Sequence, residues 1–157
     1  MSKTIETLYP KTLLLENVVS TRAEVDSPVS MQKAASGLSH FIRTSGARPT
    51  GPLIQVTVVG DGPDADRETD SEFLRQASTP ITGDGSKYAY TARISLPGCV
   101  LARFHGQALD FHIVFNKLAV FAYEHDLELS GKFFAVFVNE DGTTLTADVF
   151  ASTISGA

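Results

Sequence analysis

The chain has one cysteine, no tryptophan and no cluster of basic residues among its 157 positions. The single Cys99 excludes an intramolecular disulfide and a metal site built from several cysteine ligands. Thirteen Lys and Arg residues are scattered among 18 Asp and Glu residues, giving a net charge of −5. Proteins that bind nucleic acid usually carry a basic patch. We therefore expect no nucleic-acid partner.

Long hydrophobic runs are also missing. No stretch approaches the roughly 18 apolar residues that a membrane-spanning helix needs. Residues 1–10 include Lys3 and Glu6 and lack the apolar segment of a secretory signal peptide. The hydrophobic fraction of 43% and the charged fraction of 20% are typical of a globular protein. The sequence predicts a single cytoplasmic domain over 1–157, with no membrane partner.

The chain resembles itself at a constant shift of 80 residues. The matching pairs are Leu38 with Leu118, Phe41 with Phe121, Gly51 with Gly131, Val56 with Val136, Val58 with Val138, and Asp61-Gly62 with Asp141-Gly142. Both copies run in the order helix, glycine-containing turn, strand, Asp-Gly turn. We therefore predict two repeats, at about 3–82 and 86–154, around a pseudo-twofold axis. A groove between two such modules is a natural ligand site.

Hydrophobic periodicity predicts the elements along the chain. Ser27 caps a helix that has Pro28 at its first position and that stops before Gly46. Pro97-Gly98 is interpreted as a turn between two strands. The predicted strands are 5–16, 53–59, 71–81, 88–95, 99–104, 133–138 and 145–150, and the second helix is about 108–125.

Polar segments separate these elements. The sequence predicts flexible loops at 60–70 and 83–85, a hairpin turn at 141–142, and a frayed tail at 152–157. The fold class that follows is α+β, a duplicated βαββ module with two helices on a mostly antiparallel sheet.

Each predicted helix carries an apolar stripe at i, i+3, i+4 spacing, which indicates the face that packs on the sheet. The stripes are Met31, Ala34, Ala35, Leu38, Phe41 and Ile42 in the first helix, and Phe111, Val114, Phe115, Leu118, Phe121 and Ala122 in the second. Side-chain sizes differ between the copies, since Ala35 corresponds to Phe115. We therefore do not expect the two cores to be packed alike.

The second helix is also apolar on the face opposite its stripe. That face consists of Leu109, Ile113, Val120 and Tyr123, whereas the positions 80 residues earlier are Val29, Lys33, His40 and Arg43. An extra apolar face on one helix alone indicates a surface buried by another chain. We expect a homodimer or a different protein partner there. The alternative is a loop or the C-terminal tail folded over the face.

Catalytic and metal-binding motifs are largely missing. The four histidines do not show the spacing of a metal site, and His125 is better explained by the dipole of the helix that it follows. Cys99 lacks an adjacent histidine base and is interpreted as a small core residue. The aspartates of the 60–70 loop do not fit an EF-hand. No metal or cofactor is expected, and enzymatic activity is not favoured.

Asp148 is an acid in the middle of a predicted strand, where alternate residues point to opposite faces. Leu145, Ala147 and Val149 fall on one face, and Thr146, Asp148 and Phe150 fall on the other. A carboxylate beside aromatic rings can bind an organic cation, and Glu72 is a looser counterpart in the first copy. The simpler alternative is that Asp148 faces water on the exposed side of an antiparallel sheet.

The segment Ser95–Gly106, SLPGCVLARFHG, followed by a helix, resembles the middle of the GyrI-like domains. These are the effector-binding modules of Rob- and BmrR-type transcription regulators and of gyrase-inhibitory proteins. The resemblance covers nearly the whole chain, including Arg48–Pro52 before a strand and Thr79–Ile81 at the end of the first half. It implies two βαββ modules with a groove that binds lipophilic, often cationic, small molecules. The nearest match to the buried glutamate of the family is Asp148.

Three functions remain open. The first is a stand-alone small-molecule binding module, for which we expect no N-terminal helix-turn-helix. Its predicted groove is lined by Glu72, Tyr88, Tyr90, Phe104, Phe134, Asp148 and Phe150. The second is a protein-interaction module with a vestigial groove. The third is a small hydrolase like some relatives, which requires a tyrosine hydroxyl within hydrogen-bond reach of a buried carboxylate.

Overall fold

A computed structural model describes residues 4–24, 27–58, 70–82, 87–141 and 143–154. These residues form an α+β fold with two α-helices and six β-strands, which confirms the predicted fold class. The chain divides into two compact units. One consists of Leu14–Ser95, and the other combines Met1–Leu13 with Leu96–Ala157.

The unit Leu14–Ser95 is built around the helix α1, Pro28–Thr44. Its strands are the second part of β1 (Thr4–Glu24), β2 (Pro49–Val58), β3 (Asp70–Ala77) and the first part of β4 (Ala89–Gln107). β3 pairs antiparallel with both β1 and β2. Successive residues of β3 therefore point alternately towards α1 and away from it.

The predicted start of α1 is confirmed by a capping box. The Ser27 side chain accepts a hydrogen bond from the backbone N–H of Ser30, and the Ser30 hydroxyl accepts one from the Ser27 N–H. These two bonds satisfy N–H groups that have no partner within the helix. At the other end, Gly46 adopts a positive φ of 89°, a conformation that ends many helices because glycine has no Cβ to clash.

The core of this unit lies between α1 and the sheet. Leu38 and Ile42 of α1 are fully buried with Val19 and Phe73 of the strands. Met31, Ala34 and Phe41 pack against the same cluster. The stripe predicted from the spacing of apolar residues is therefore the face of α1 that packs on the sheet.

The second unit is built around α2, Ile113–Glu124. It contains the second part of β4, then β5 (Leu129–Asp141) and β6 (Thr144–Thr153). β6 pairs antiparallel with both β4 and β5. Val114, Leu118 and Ala122 of α2 are buried on this sheet, and Phe111, Phe115 and Phe121 pack beside them. This arrangement follows the predicted stripe.

Several predicted boundaries are wrong. Pro97-Gly98 does not reverse the chain, because Gly98 adopts a positive φ of 70° within the continuous strand β4 and its carbonyl accepts a hydrogen bond from Thr153 Oγ1. β1 continues eight residues beyond the predicted end at residue 16, with Asn17 at a φ of 53°. Residues that usually form turns are thus local irregularities within long paired strands.

The second helix is also shorter than predicted. Ala108–Asp110 form a separate 3₁₀ turn, and the α-helix begins at Ile113. The backbone N–H of Ala108 donates to the Thr143 carbonyl at 2.8 Å. This bond holds the segment against the loop that precedes β6, in place of a helical hydrogen bond.

Left-handed backbone conformations recur 80 residues apart. Gly46 and Asp126 follow the two helices, with φ of 89° and 56°, and 126 − 46 = 80. Gly51 and Gly131 lie within β2 and β5, with φ of 69° and 91°, and 131 − 51 = 80. The spacing equals the shift found in the sequence, while the duplication and its pseudo-twofold axis stay predictions.

Several predicted features lie outside the described residues. They are most of the 60–70 loop, the 83–85 turn, Gly142 of the hairpin and the last three residues of the tail. Among the residues that the structure describes, neither helix combines the length and the apolar character needed to cross a bilayer.

Replacing Leu118 by alanine tests the helix–sheet core. Leu118 has an exposed fraction of zero, so Leu118→Ala is expected to lower the free energy of unfolding by about 2–5 kcal/mol through lost contacts and a cavity. Lys117 on the same helix is exposed, and Lys117→Ala should change stability by only about 0.5 kcal/mol. Urea unfolding followed by circular dichroism measures both. Equal effects of the two substitutions would contradict this packing.

Candidate functional site

The residues of β6 alternate between two environments. Leu145, Ala147, Val149 and Ala151 are buried in the core beneath α2, and Thr146, Asp148 and Phe150 between them are partly exposed. The face that carries Asp148 is therefore the face of the sheet that points away from α2. We call it the Asp148 face.

Asp148 pairs with an arginine on the neighbouring strand. Arg103 of β4 lies directly opposite Asp148, and its Nε donates to Asp148 Oδ1 at 3.2 Å. The Asp148 side chain is 18% exposed and that of Arg103 is 55% exposed. The carboxylate is thus largely shielded, whereas its counter-ion extends into solvent. Arg103 did not figure among the predicted site residues.

Aromatic and aliphatic side chains flank the acid on the same face. Phe134 of β5 lies opposite Phe150, and Val136 lies opposite Asp148. Phe134 is almost fully buried, and Lys132 Nζ sits 5.5 Å from the centre of its ring. The two phenylalanines are the part of the predicted aromatic lining that shares a face with Asp148.

A second polar pair continues the row. His105 of β4 lies opposite Thr146 of β6, and His105 Nδ1 and Thr146 Oγ1 are joined by a hydrogen bond of 2.8 Å. Leu101, Arg103 and His105 alternate along β4, so they share the Asp148 face. This period of two is visible in the sequence and places Arg103 on this face within the predicted strand 99–104, and His105 follows once the strand is known to continue to Gln107.

Glu72 occupies the corresponding place in the other unit. It lies on β3 between Arg22 of β1 and Val56 of β2, just as Asp148 lies between Arg103 and Val136. Val56 and Val136 are also a pair in the sequence alignment at a shift of 80. Each unit therefore has an acid opposite an arginine on the sheet face that points away from its helix.

The remaining predicted lining residues lie elsewhere. Phe104 is fully buried in the core beneath α2, where its ring meets Phe111 edge-on at 5.5 Å. Tyr88 stacks on Phe41 of α1 at 4.5 Å, and both Tyr88 and Tyr90 pack against the α1 core. These three aromatics stabilise the helix–sheet packing, so we do not include them in the candidate site.

Hydrolase chemistry gains no support from Tyr90. The Tyr90 hydroxyl donates to Asn17 Oδ1 at 2.7 Å rather than to a carboxylate. No group of three or more potential metal-ligating side chains occurs in the described parts of the chain. His125 follows α2 as predicted, and its Nδ1 donates to the Phe121 carbonyl at 2.9 Å.

The apolar back of α2 is exposed within the chain. Leu109, Val120 and Tyr123 are 83%, 54% and 85% exposed, and Ile113 is partly buried. The described residues therefore leave the first three side chains largely uncovered. The alternative of a loop or the C-terminal tail folded over this face gains no support from the described residues.

Comparisons with known proteins bear on the fold. No protein-family model matches the chain, and no curated protein matches it by sequence. The solved C-terminal domain of EcmrR is similar over 93% of this chain and 98% of its own, with a TM-score of 0.63 and 12% identity. In a structure of EcmrR bound to DNA, the similar region covers 57% of the EcmrR chain.

Two proteins from Listeria innocua have similar structures. One, described as an uncharacterized conserved protein, matches 92% of this chain and 91% of its own, with a TM-score of 0.63 and 12% identity. The other, described as a hydrolase, matches 95% and 91%, with a TM-score of 0.62 and 11% identity. At these identities the likeness establishes a shared fold, consistent with the predicted GyrI-like architecture.

Cys99 is fully buried, and burial raises the pKa of its thiol above the ordinary value, although a backbone hydrogen bond from Leu13 lowers the pKa in part. We expect iodoacetamide to label native Cys99 at pH 8 far more slowly than the urea-unfolded chain, because only the thiolate reacts. Rapid labelling of the native protein would contradict this environment.

The same shift has a consequence for stability. A pKa that is higher in the folded state than in the unfolded state means that the contribution of the thiol is complete below the unfolded pKa and is lost as the pH rises through the folded pKa. Cys99→Ala should therefore remove part of the loss of stability at alkaline pH. Unfolding curves of both proteins from pH 7 to pH 10 measure the difference.

Proposed function

We propose that this chain is an effector-binding domain that binds a lipophilic organic cation on the Asp148 face. The observation that carries the proposal is a shielded carboxylate, 18% exposed, on a sheet face that also presents Phe134 and Phe150. The similarity of fold to the EcmrR C-terminal domain supports a binding rather than a purely structural role. The predicted groove between the two repeats stays a prediction.

Charge and ring faces act together in this proposal. A carboxylate attracts a cation more strongly where water is partly excluded, and aromatic rings attract it through their quadrupole. Lys132 Nζ lies 5.5 Å from the centre of the Phe134 ring, a contact that supports a cation at this place. A flat or branched organic cation can replace the lysine while its apolar surface covers the ring.

Arg103 is the competitor for the carboxylate. It bonds one oxygen of Asp148 at 3.2 Å, and its own side chain is 55% exposed. The guanidinium is the exposed partner of this pair, so it can turn into solvent when a ligand cation takes its place beside the carboxylate. In the free protein, Arg103 is the counter-ion that keeps the carboxylate paired.

Two substitutions with opposite expected effects test this proposal. Asp148→Asn keeps the shape and removes the charge, so affinity for tetraphenylphosphonium should fall by about 1–3 kcal/mol. Arg103→Gln removes the competing cation, so affinity should rise by up to about 1 kcal/mol. Isothermal titration calorimetry measures both, with the neutral triphenylphosphine oxide as a probe that should not respond to either change.

The matched control is Glu128→Gln, which removes one negative charge from an exposed position of the same unit. It should leave the affinity for tetraphenylphosphonium unchanged. Equal weakening of the charged and the neutral probe by Asp148→Asn, or no binding of the cation by the wild-type protein, would assign Asp148 to a solvated face without a ligand.

A second candidate function is self-association through α2. Two apolar side chains on its back, Val120 and Tyr123, are more than half exposed, and so is Leu109 in the 3₁₀ turn that precedes the helix. The positions 80 residues earlier on α1 include Lys33, His40 and Arg43, which are exposed polar residues. A face of this kind can pair with its own copy across a twofold axis, so we propose a homodimer centred on α2.

Val120→Lys combined with Tyr123→Lys tests the dimer. Both side chains are exposed, so the changes should not disturb folding, whereas charge buried without a partner in an apolar interface is costly. We expect sedimentation to show a dimer for the wild type and a folded monomer for the double variant. Val29→Lys, at a 69% exposed position of α1, is the control that should remain dimeric. A wild-type monomer at high concentration would exclude the homodimer.

A further inference from the structure

A pocket of about 280 Å³ opens beside α1, within the unit Leu14–Ser95. Four of its lining residues lie on α1 and one lies on β3; they are Ala35, Ser36, Ser39, Arg43 and Arg75. The pocket lies on the helix side of the sheet, so it is distinct from the sheet face that carries Glu72 in this unit.

The polar residues that line the pocket carry hydrogen-bond donors. Arg75 donates from one terminal nitrogen to Ser39 Oγ at 2.9 Å. Its Nε is buried and has no acceptor among the described residues. A buried N–H without an acceptor is costly, because the hydrogen bond that it made to water has been lost. Arg75 is thus held in place by Ser39 while a further donor remains unused.

The charge of the pocket is opposite to that of the whole chain. Two guanidinium groups, Arg43 and Arg75, line it, and no described carboxylate is among the lining residues, although the chain has a net charge of −5. Guanidinium groups match the two oxygens of a carboxylate or phosphate geometrically, and serine hydroxyls can add further donors.

The other unit lacks this pocket chemistry for identifiable reasons. Eighty residues after Ala35 is Phe115, whose ring packs edge-on against Phe133 at 5.2 Å. The shift of 76 that relates Glu72 to Asp148 takes Arg75 to Ala151, which is buried. The space and the cation are therefore both specific to the α1 unit, and simple helix–sheet packing does not require them.

We propose that this pocket binds the oxyanion group of a small molecule, a phosphate or a carboxylate, between Arg43 and Arg75. The terminal guanidinium nitrogen of Arg75 that is not bonded to Ser39 donates to one oxygen of the anion, and the Arg43 guanidinium, which is exposed on the last turn of α1, closes on another. The pocket is close to the lower limit of typical ligand cavities, roughly 300 Å³, so it fits an anionic head group rather than a large molecule. This site does not depend on the cation proposed for the Asp148 face.

Titration with inorganic phosphate and, separately, with acetate tests the site at constant ionic strength. The readout is the ¹⁵N–¹H signal of the Arg75 side-chain Nε, which should shift and saturate with the anion that binds. Saturation with phosphate alone, with acetate alone, or with both supports the proposal and identifies the oxyanion. The absence of any saturable shift with either anion would overturn it.

Three variants and a control give the test its specificity. Arg75→Gln and Arg43→Gln should each weaken binding by roughly tenfold, the scale of one charge-assisted hydrogen bond, with the backbone amide signals of Ser36 and Ser39 as the readout for both. Ala35→Phe places in α1 the side chain that α2 has and should abolish binding by filling the space. Lys117→Gln removes a charge from an exposed position of the other unit and should have no effect.

Thermal melting separates loss of the site from loss of the fold. Arg43 is exposed, so Arg43→Gln should melt close to the wild type, which keeps the test decisive if a substitution at Arg75 or Ala35 destabilises the protein. Unchanged phosphate and acetate affinity in a folded Arg43→Gln variant, or equal weakening by Lys117→Gln, would overturn the assignment of this pocket.

Discussion

The alternation of side chains along β3 and β6 is the constraint on which the rest of each unit depends. Every second residue of β6 is needed in the core beneath α2, so a polar residue can be placed only at the positions between them. Asp148 occupies such a position, and the antiparallel register places Arg103 opposite it. The same geometry sets Glu72 opposite Arg22 in the other unit. The core and the charged face are therefore two products of one pattern.

Local periodicity was sufficient for much of this description. The spacing of apolar residues predicted which faces of the helices are buried, including Leu38 and Leu118, and period two placed Asp148 and Phe150 on one face of β6. Both are short-range properties, determined by the geometry of a single helix or strand. Ser27 and Pro28 marked the start of α1 for the same reason, since a cap involves only neighbouring residues.

Pairing between distant segments could not be predicted in this way. Pro97-Gly98 has the residues of a turn, yet hydrogen bonds to β6 keep β4 extended through Gly98. The partner of Asp148 depends on a register between residues 45 positions apart in the sequence, Arg103 and Asp148. The pocket beside α1 likewise brings together Ala35 and Arg75 from different elements. Aromatic composition alone assigned Phe104 to a groove, whereas its place in the alternation assigns it to the core.

The distribution of tyrosine gives the protein a selective optical signal. With no tryptophan in the sequence, tyrosine dominates its intrinsic fluorescence. Tyr123 of the α2 unit is 85% exposed, so its surroundings change little on unfolding, whereas Tyr9 of that unit is 41% exposed and its ring centre lies 6.5 Å from that of Phe121. Tyr88 and Tyr90 are packed into the α1 core. Two of the three tyrosines whose surroundings change on unfolding therefore lie in the unit Leu14–Ser95, and a Tyr9→Phe variant makes tyrosine emission a selective report on that unit, to be compared with far-ultraviolet circular dichroism of the whole fold.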